Sequence, residues 1–397
     1  MKIVMVVSDF PKVTETFSMM NARHFMDQGH DVEVFHIKPF REGEIVHDFA
    51  RPVVETGFSF PWIGGASAAA LIRHPAALAR HSARVALAFA RKPKHIAASM
   101  ALAPKALALG EYCKREGVDH IHAEFAGYPA TAAMLASEVS GTSFSFSSHA
   151  HDIFITQGLL AEKSKKARFV RTISDFNHRF LSALPGFAAE KIRVIRCGID
   201  PSRAVSAGKA DANRPLRVLF VGSLYPRKGV HHLIAALAQL DVELPWEARI
   251  VGGGPLFENL QAQVPDPIGD RVTFAGPQKA EDVRAAYDWA DVVVSPSTTG
   301  EEGRSEGIPV VLMEAMAHGC AVITSRLSGI PELVRHDETG LLTEPGDEAA
   351  IRAALQRLAK DRATARRLGG AGRTLVLSEY NIEQNAAELL AAIIESA

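Results

Sequence analysis

Short β-branched runs alternate with helix-like stretches along the whole 397-residue chain. In the second half of the chain these runs read as continuous apolar stretches, a pattern typical of strands that helices cover on both faces. Such alternation predicts parallel, doubly wound sheets, so we expect an α/β protein. The predicted strands are residues 2–8, 31–37, 120–125, 143–149, 168–174, 191–197, 217–223, 248–254, 272–276, 291–297 and 321–325.

A segment without an apolar period separates the two series of strands. Residues 199–215 are rich in Gly, Pro, Ala and polar residues, which is typical of a linker. We therefore expect an N-terminal domain over residues 1–198 and a C-terminal domain over residues 216–378. Residues 379–397 are expected to form a helix that packs back on the N-terminal domain. The chain length agrees with two domains, because single cores seldom exceed about 250–300 residues.

Two sheets of this kind also predict where a ligand binds. Ligands of open parallel sheets lie outside the carboxyl ends of the strands, so we expect two Rossmann-like domains that face a central cleft. The loop after the first strand reads "SDFPKVTETF" and contains no glycine, so the glycine fingerprint of dinucleotide enzymes is missing. The stretch "VGGGP" lacks the Lys-Ser/Thr of a P-loop, and a tight strand-to-helix turn explains it more simply.

The net charge and the cysteines argue against several classes of protein. A net charge of −1 gives no general attraction to nucleic acid. Cys113, Cys197 and Cys320 form neither a disulfide framework nor a zinc spacing, so a reducing, cytoplasmic location is expected. The N-terminus reads as a first strand rather than a signal peptide. No run of 18 uncharged apolar residues is present, so we expect no membrane-spanning helix.

The stretch "RSEGIPVVLMEAMAHG" predicts a site for a ligand with both phosphates and hydroxyls. Glu306 lies in a loop, Pro309 fits the first turn of the following helix, and Glu314 lies inside that helix. The free N–H groups near Ile308–Val311 and the helix dipole favour an anion. The two carboxylates would repel a phosphate unless they bind hydroxyl groups, and a nucleotide-sugar has both. A buried helix entered by a polar loop explains the stretch equally well when it is taken alone.

The same stretch resembles the Glu-x7-Glu signature of the family 4 retaining nucleotide-sugar glycosyltransferases (glycosyltransferase group 1), which have the GT-B fold. The following "AMAHGCAVITSRLSGIPELV" continues that family's pattern. The resemblance implies that Glu314 binds the ribose, that Glu306 faces the donor sugar as a catalytic residue, and that backbone amides hold the diphosphate. The donor-binding residues implied between the two carboxylates are Gly307, Ile308, Pro309 and Val310.

The stretch "FVGSLYPRKGVHHLI" resembles the family's diphosphate clamp. Lys228 and Gly229 match its Lys-Gly step, but Ser223 stands where the family usually has an arginine. Arg227 is the candidate replacement, and the alternative is a merely solvated Arg-Lys pair. Gly222 and Gly254 complete the implied donor-binding set.

In the N-terminal half, "SFSFSSHAHDIF" resembles the family's His-Ala-x-Asp step. The resemblance implies that His149, at a strand end, is a catalytic residue near the donor sugar and that Asp152 shapes the loop. The alternative for His149 is a buried structural histidine. The stretch "HIHAEFAGYPA" resembles the same family, although a histidine is more usual where Glu124 stands.

The first loop, "SDFPKVTETF", resembles a narrower branch of enzymes that build exopolysaccharide repeat units, of the colanic-acid type. That branch reads Phe-Pro-x-x-Ser/Thr-Glu-Thr-Phe here, and the resemblance places Glu15 and Thr16 on the acceptor side of the cleft. Helix capping, with Thr14 as the N-cap and Glu15 favoured by the dipole, is the alternative.

The segment Ala66–Arg115 has nine basic residues and one acidic residue. Arg73, Arg80, Arg84 and Arg91 have a spacing that predicts one basic helical face. Such a face suits an anionic membrane surface, and a solvated basic face is the alternative.

Together these patterns predict a cytoplasmic GT-B enzyme at the inner face of the cytoplasmic membrane. We expect it to transfer a sugar from a nucleotide-diphosphate sugar to a lipid-linked or growing saccharide in exopolysaccharide synthesis. The resemblance implies a retained anomeric configuration. No Asp-x-Asp pair is present, so neither a metal nor another cofactor is expected. Another GT-B activity, such as a phosphorylase or an epimerase, and a non-catalytic nucleotide-sugar or glycan-binding protein are the alternatives.

Overall fold

The computed structural model describes residues 1–12, 16–42, 48–62, 64–203, 214–300 and 305–397. The chain divides into two compact units. The N-terminal unit comprises residues 1–197 and 382–397, and the C-terminal unit comprises residues 198–381. Most of the predicted linker, residues 204–213, lies outside the described residues.

The N-terminal unit is built on a parallel sheet with the strand order β3-β2-β1-β4-β5-β6-β7. Its strands are β1 (Lys2–Val7), β2 (Asp31–His36), β3 (Gly57–Phe58), β4 (His120–Ala123), β5 (Ser143–Ser148), β6 (Val170–Thr172) and β7 (Ile192–Val194). Its helices up to this point are α1 (Thr16–Asp27), α2 (Arg51–Glu55), α3 (Gly65–Arg73), α4 (Pro75–Ala88), α5 (Pro93–Glu116), α6 (Tyr128–Ser140), α7 (His151–Phe154), α8 (Leu160–Lys166) and α9 (Asp175–Ser182). The order reverses direction at β1 and β4, so a crevice is expected at their carboxyl ends.

The C-terminal unit repeats the architecture with the parallel order β10-β9-β8-β11-β12-β13. Its strands are β8 (Leu216–Val221), β9 (Trp246–Val251), β10 (Val272–Gly276), β11 (Val292–Ser295), β12 (Ala321–Ser325) and β13 (Leu341–Thr343). Its helices are α10 (Val230–Ala238), α11 (Phe257–Ala262), α12 (Ala280–Trp289), α13 (Val310–Ala317), α14 (Ile330–Leu333), α15 (Glu348–Lys360) and α16 (Arg362–Glu379). The central strands β8, β11 and β12 are almost entirely buried, as their continuous apolar sequences predict.

The last helix, α17 (Ile382–Ile394), belongs to the N-terminal unit. Its apolar face packs on α1, where Leu389 and Ile393 join a buried cluster with Met19 and Phe25. The chain therefore returns to its first unit after completing the second one.

The predicted α/β fold with two doubly wound parallel sheets is confirmed. The sequence pattern missed β3 and β13, each at the edge of its sheet, because two or three residues are too few to show a period. Within the described ranges, no helix has both the length and the apolar character needed to cross a bilayer.

The predicted basic helical face is wrong. Arg73 ends α3, Arg80 and Arg84 lie on α4, and Arg91 follows α4. Pro75 starts a new helix after Arg73, so this break separates Arg73 from Arg80 and Arg84, and Arg91 lies beyond the end of α4. Arg84 turns inward to the carboxylates of Glu138 and Glu162, at 2.7 and 2.6 Å.

Candidate functional site

The loops at the carboxyl ends of β8 and β9 run against each other, backbone to backbone. Gly222 N donates to Val251 O at 3.0 Å, and Leu224 N donates to Gly253 O at 2.9 Å. A Cβ atom on Gly252 would lie 1.9 Å from Gly222 O, and one on Gly254 would lie 2.7 Å from Leu224 O. The stretch "VGGGP" is therefore a close-packed strand end, and it places Gly222 and Gly254 at one edge of the sheet.

The Lys-Gly step holds two basic side chains at the same edge. A single 3₁₀ turn, Pro226–Lys228, ends at Gly229, whose φ of +69° favours glycine. A Cβ atom on Gly229 would lie 1.9 Å from Pro296 O, so the loops after β8 and β11 meet there. Thr298 N also donates to Arg227 O at 2.8 Å.

Arg227 and Lys228 converge on Glu306. Lys228 Nζ lies 3.0 Å from Glu306 Oε2, and Arg227 Nε donates to Glu306 Oε1 at 3.2 Å. The Arg227 guanidinium also lies over the Tyr225 ring, 5.6 Å from its centroid. Burial alone would raise the pKa of Glu306, but Lys228 and Arg227 outweigh it and hold the pKa below its ordinary value. Two cations flank one ionised carboxylate, so these three described side chains together carry an excess of positive charge.

The segment from Glu306 leads directly into the amino end of α13. Gly307 and Ile308 connect the two, with the Ile308 side chain buried. Pro309 was predicted in the first helical turn, but it is the N-cap, and Val310 is the first helical residue. Pro309 has a φ of −66° and a ψ of 128°, an extended conformation, so the helix begins one residue later. Pro309 provides no side-chain cap, and the first turn has no acidic residue. Its N–H groups therefore suit an anion.

Glu314 lies on α13 and is tied to α12. Tyr287 Oη donates to Glu314 Oε2 at 2.9 Å. Burial and the carboxylate of Glu314 both raise the pKa of Tyr287 well above its ordinary value, so the phenol stays protonated. Sequence reasoning missed Tyr287, although its place among the apolar positions of α12 marks it as inward-facing. Ser223, the position where the family usually has an arginine, lies exposed in the loop after β8.

In the N-terminal unit, His149 directly follows β5 and is buried with both ring nitrogens engaged. Its Nε2 lies 2.9 Å from Glu124 O, and its Nδ1 lies 3.8 Å from Cys197 Sγ. Phe17 and Phe125 flank the ring, with centroid distances of 4.6 and 4.7 Å. These four partners of the imidazole all belong to its own unit.

Asp152 ties together the loops that follow β4 and β5. Its carboxylate accepts hydrogen bonds from the backbone N–H groups of His149, Ala150 and Ala126, at 3.0, 2.9 and 2.9 Å. This arrangement shapes the loop in the way that the resemblance implies for Asp152. Lys163, which sequence reasoning missed, donates to the carbonyls of Ala126 and Gly127 in the loop that follows β4. Burial lowers the pKa of Lys163 to about 7.

The predicted acceptor residues lie at the start of α1. Glu15, with its capping partner Thr14, lies outside the described residues. Thr16 is the first residue of α1 and is half-buried. The next residue, Phe17, packs on the His149 ring, so Thr16 lies close to the carboxyl ends of β4 and β5.

Two doubly wound parallel-sheet units of this kind are the architecture of the GT-B glycosyltransferases. The chain belongs to the family described as glycosyl transferases group 1, which matches residues 215–361. It is 30% identical to the amylovoran biosynthesis glycosyltransferase AmsK of Erwinia amylovora, over 100% of this chain and 99% of that protein. The family resemblance of the sequence motifs is thus confirmed.

Two further comparisons agree. The chain is 35% identical to the putative colanic acid biosynthesis glycosyltransferase WcaL of Salmonella typhimurium over 214 residues, which are 52% of this chain and 53% of that protein. The crystal structure of Anabaena HepE in complex with UDP has a TM-score of 0.75 and 18% identity, with 99% of each chain covered. This structural likeness concerns the fold.

Proposed function

We propose that the protein is a retaining glycosyltransferase that moves a hexose from a nucleotide-diphosphate sugar to a lipid-linked or growing saccharide in exopolysaccharide synthesis. The observation that carries the proposal is the cluster of Lys228, Arg227 and Glu306 beside the amino end of α13. Full-length similarity to an enzyme named for amylovoran biosynthesis supports the pathway class.

Each part of the cluster has a role in this proposal. Lys228, Arg227 and the first N–H groups of α13 hold the diphosphate and stabilise the charge that develops on it as it leaves. Glu306, ionised and in the segment just before the helix, accepts hydrogen bonds from hydroxyls of the donor sugar. Glu314, oriented by Tyr287, accepts hydrogen bonds from the hydroxyls of the ribose.

The proposed reaction needs no nucleophile from the protein. The bond from the anomeric carbon to the diphosphate oxygen breaks, and a bond to the acceptor oxygen forms on the same face of the sugar. The proton of the acceptor hydroxyl passes to the departing phosphate. No cofactor or metal takes part in this scheme, and a trapped glycosyl-enzyme would contradict it.

A panel of nucleoside diphosphates and their sugars tests the proposal. We expect one nucleotide to raise the melting temperature, because a ligand at 100 times its Kd adds about 2.7 kcal/mol of stability. The matching sugar donor should then label a lipid-linked acceptor. Binding without transfer to any acceptor would indicate a non-catalytic binding protein. Phosphorolysis with free phosphate and no nucleotide would indicate a phosphorylase.

We also propose peripheral contact with an anionic membrane at the cytoplasmic face, through α4 rather than through an arginine face. The outward side of α4 is apolar apart from Arg80, and Leu87 on it is 84% exposed. Beyond its end, the exposed basic residues Arg91, Lys92 and Lys94 follow. An apolar helix face with flanking cations suits the interface of an anionic bilayer. The exposed residues of α4 are Pro75, Ala76, Ala79, Arg80, Ala83, Ala86, Leu87 and Ala88.

Leu87→Asp is expected to weaken binding to anionic vesicles about tenfold or more, because burying a leucine side chain contributes about 1.5–3 kcal/mol. Co-sedimentation with vesicles of phosphatidylglycerol measures the effect, and binding should fall as salt rises. Val242→Asp is the matched control, since Val242 is 82% exposed and lies in the C-terminal unit. Equal binding to neutral vesicles, or equal losses in the two variants, would contradict the proposal.

A further inference from the structure

Glu124 is a fully buried carboxylate at the carboxyl end of β4, where the family usually has a histidine. Its exposure is 0%. Oε1 accepts a hydrogen bond from Asn21 Nδ2 at 3.1 Å. Oε2 lies 3.7 Å from His149 Nε2 and has no hydrogen-bond partner among the described residues.

The geometry indicates that this carboxylate is ionised. With the Asn21 amide oriented so that Nδ2 donates to Oε1, a proton on either carboxyl oxygen would have no acceptor among the described residues. A buried carboxylate without a counter-charge costs several kcal/mol. Within the described part of the chain, His149 is the one basic group that lies within 4.0 Å of Glu124.

The surroundings of His149 fit a ring that has a proton on each nitrogen. Nε2 must donate, because the backbone carbonyl of Glu124, 2.9 Å away, can only accept. Nδ1 faces Cys197 Sγ at 3.8 Å, where the sulfur can accept a second N–H or donate an S–H to a neutral ring. Asn177 Nδ2 donates to the carbonyl of His149 and fixes its backbone.

We propose that Glu124 is a positioning residue that holds His149 as an imidazolium, with its two N–H groups turned toward Glu124 and Cys197. Taken with the proposed function, on which this consequence rests, His149 cannot accept the proton of the acceptor hydroxyl. It contributes a fixed positive charge at the carboxyl edge of the N-terminal sheet.

Other ionisable groups around the pair of Glu124 and His149 have hydrogen-bond partners of their own. Asp152 accepts three backbone N–H groups, and Arg171 donates to the carbonyls of Ile195 and Arg196 and to Cys197 Sγ. The remaining titratable groups that act on the pair are Cys197, whose Sγ faces Nδ1 of His149, and His122 on β4.

The directions of the pKa shifts agree with an ion pair. Burial alone would lower the pKa of His149, but Cys197 and Glu124 outweigh it and raise the pKa to about 10. Burial alone would raise the pKa of Glu124, but His149 and its neighbours hold it at about 2. The ring is therefore expected to stay protonated across neutral pH and to lose its second proton only in alkaline solution.

Nitrogen-15 NMR of the full chain with labelled histidine tests the charge state without any substrate. His149→Asn assigns the His149 signals. In the wild-type protein we expect both nitrogens of His149 to be protonated at about pH 7.5. In Glu124→Gln, which keeps the shape and removes the charge, the titration midpoint should fall by roughly two pH units or more. Glu124→Asp, which keeps the charge, should stay closer to the wild type.

Glu138→Gln is the control, because Glu138 pairs with Arg84 at a distance of 2.7 Å and is not part of the pair of Glu124 and His149. A neutral His149 in the wild-type protein at about pH 7.5 would overturn the proposal. An unchanged titration midpoint of His149 in Glu124→Gln would also overturn the proposal. If Glu124→Gln does not fold, the titration of His149 in the wild-type protein tests the proposal by itself. Failure of the proposed function would instead show in the nucleotide panel, whatever the charge of His149.

Discussion

Lys228→Ala is expected to lower kcat/KM for the nucleotide-sugar about 10- to 100-fold. Lys228 is one of two cations at the carboxyl edge of the C-terminal sheet that reach Glu306. In the proposed complex it also contacts the diphosphate, and a charge-assisted hydrogen bond of this kind contributes about 1.5–3 kcal/mol. If the contact strengthens as the diphosphate leaves, most of the loss falls on kcat rather than on KM.

The variant has a second effect that can be measured separately. Glu306 is largely buried and, among the described residues, keeps only Arg227 as a close cation when Lys228 is removed, so the pKa of Glu306 rises. The acid limb of the pH–rate profile should therefore move to higher pH in Lys228→Ala. Lys228→Arg keeps the charge and should retain more activity than the alanine variant.

Lys360→Ala is the matched control, because Lys360 is exposed at the end of α15 in the same unit. It should leave both rate and profile unchanged. Full turnover and full donor affinity in Lys228→Ala would show that the diphosphate is held elsewhere.

Gly229→Ala is expected to destabilise the C-terminal unit by about 3 kcal/mol or more. Two costs add in this substitution. The residue keeps a φ of +69°, and its new Cβ atom meets Pro296 O at 1.9 Å. The backbone has to shift, because the obstacle is a carbonyl oxygen rather than a flexible side chain. That shift also displaces Lys228, so activity should fall more than stability alone explains.

Gly319→Ala separates the two costs. Gly319 has a φ of +70° with open space around the Cβ position, so its substitution pays only the conformational cost of about 1–2 kcal/mol. Urea unfolding followed by tryptophan fluorescence measures both variants. A Trp62→Phe background leaves Trp246 and Trp289, which both lie in the C-terminal unit. Equal losses in the two alanine variants would contradict the close approach of the loops after β8 and β11.

The sequence predicted the fold well because its signal is local. Buried parallel strands such as β8 and β11 are continuous apolar runs, and each is readable without knowledge of its neighbours. The same holds for the Lys-Gly step and for the helix after Glu306, where a few adjacent residues specify the turn. The bounds of short elements were less readable, as the position of Pro309 shows.

The contacts that orient the site were not readable in the same way. Glu124, His149 and Cys197 are brought together by three different strands, and His149 and Cys197 are 48 residues apart in sequence. Tyr287 reaches Glu314 from a separate helix, 27 residues before it. Such pairs depend on which strands are neighbours and on the rotation of each helix, and no local pattern encodes either. The arginine face failed for a related reason, because spacing alone ignored the break at Pro75.

The central claim is that the amino end of α13 and Lys228 hold the diphosphate of a nucleotide donor. A crystal structure with the nucleoside diphosphate selected by the panel tests it most directly. We expect the phosphate oxygens within about 3 Å of Lys228 Nζ and of the first backbone N–H groups of α13, with the ribose at Glu314. A diphosphate bound elsewhere, with Lys228 still paired to Glu306 and no ligand at the amino end of α13, would contradict the claim.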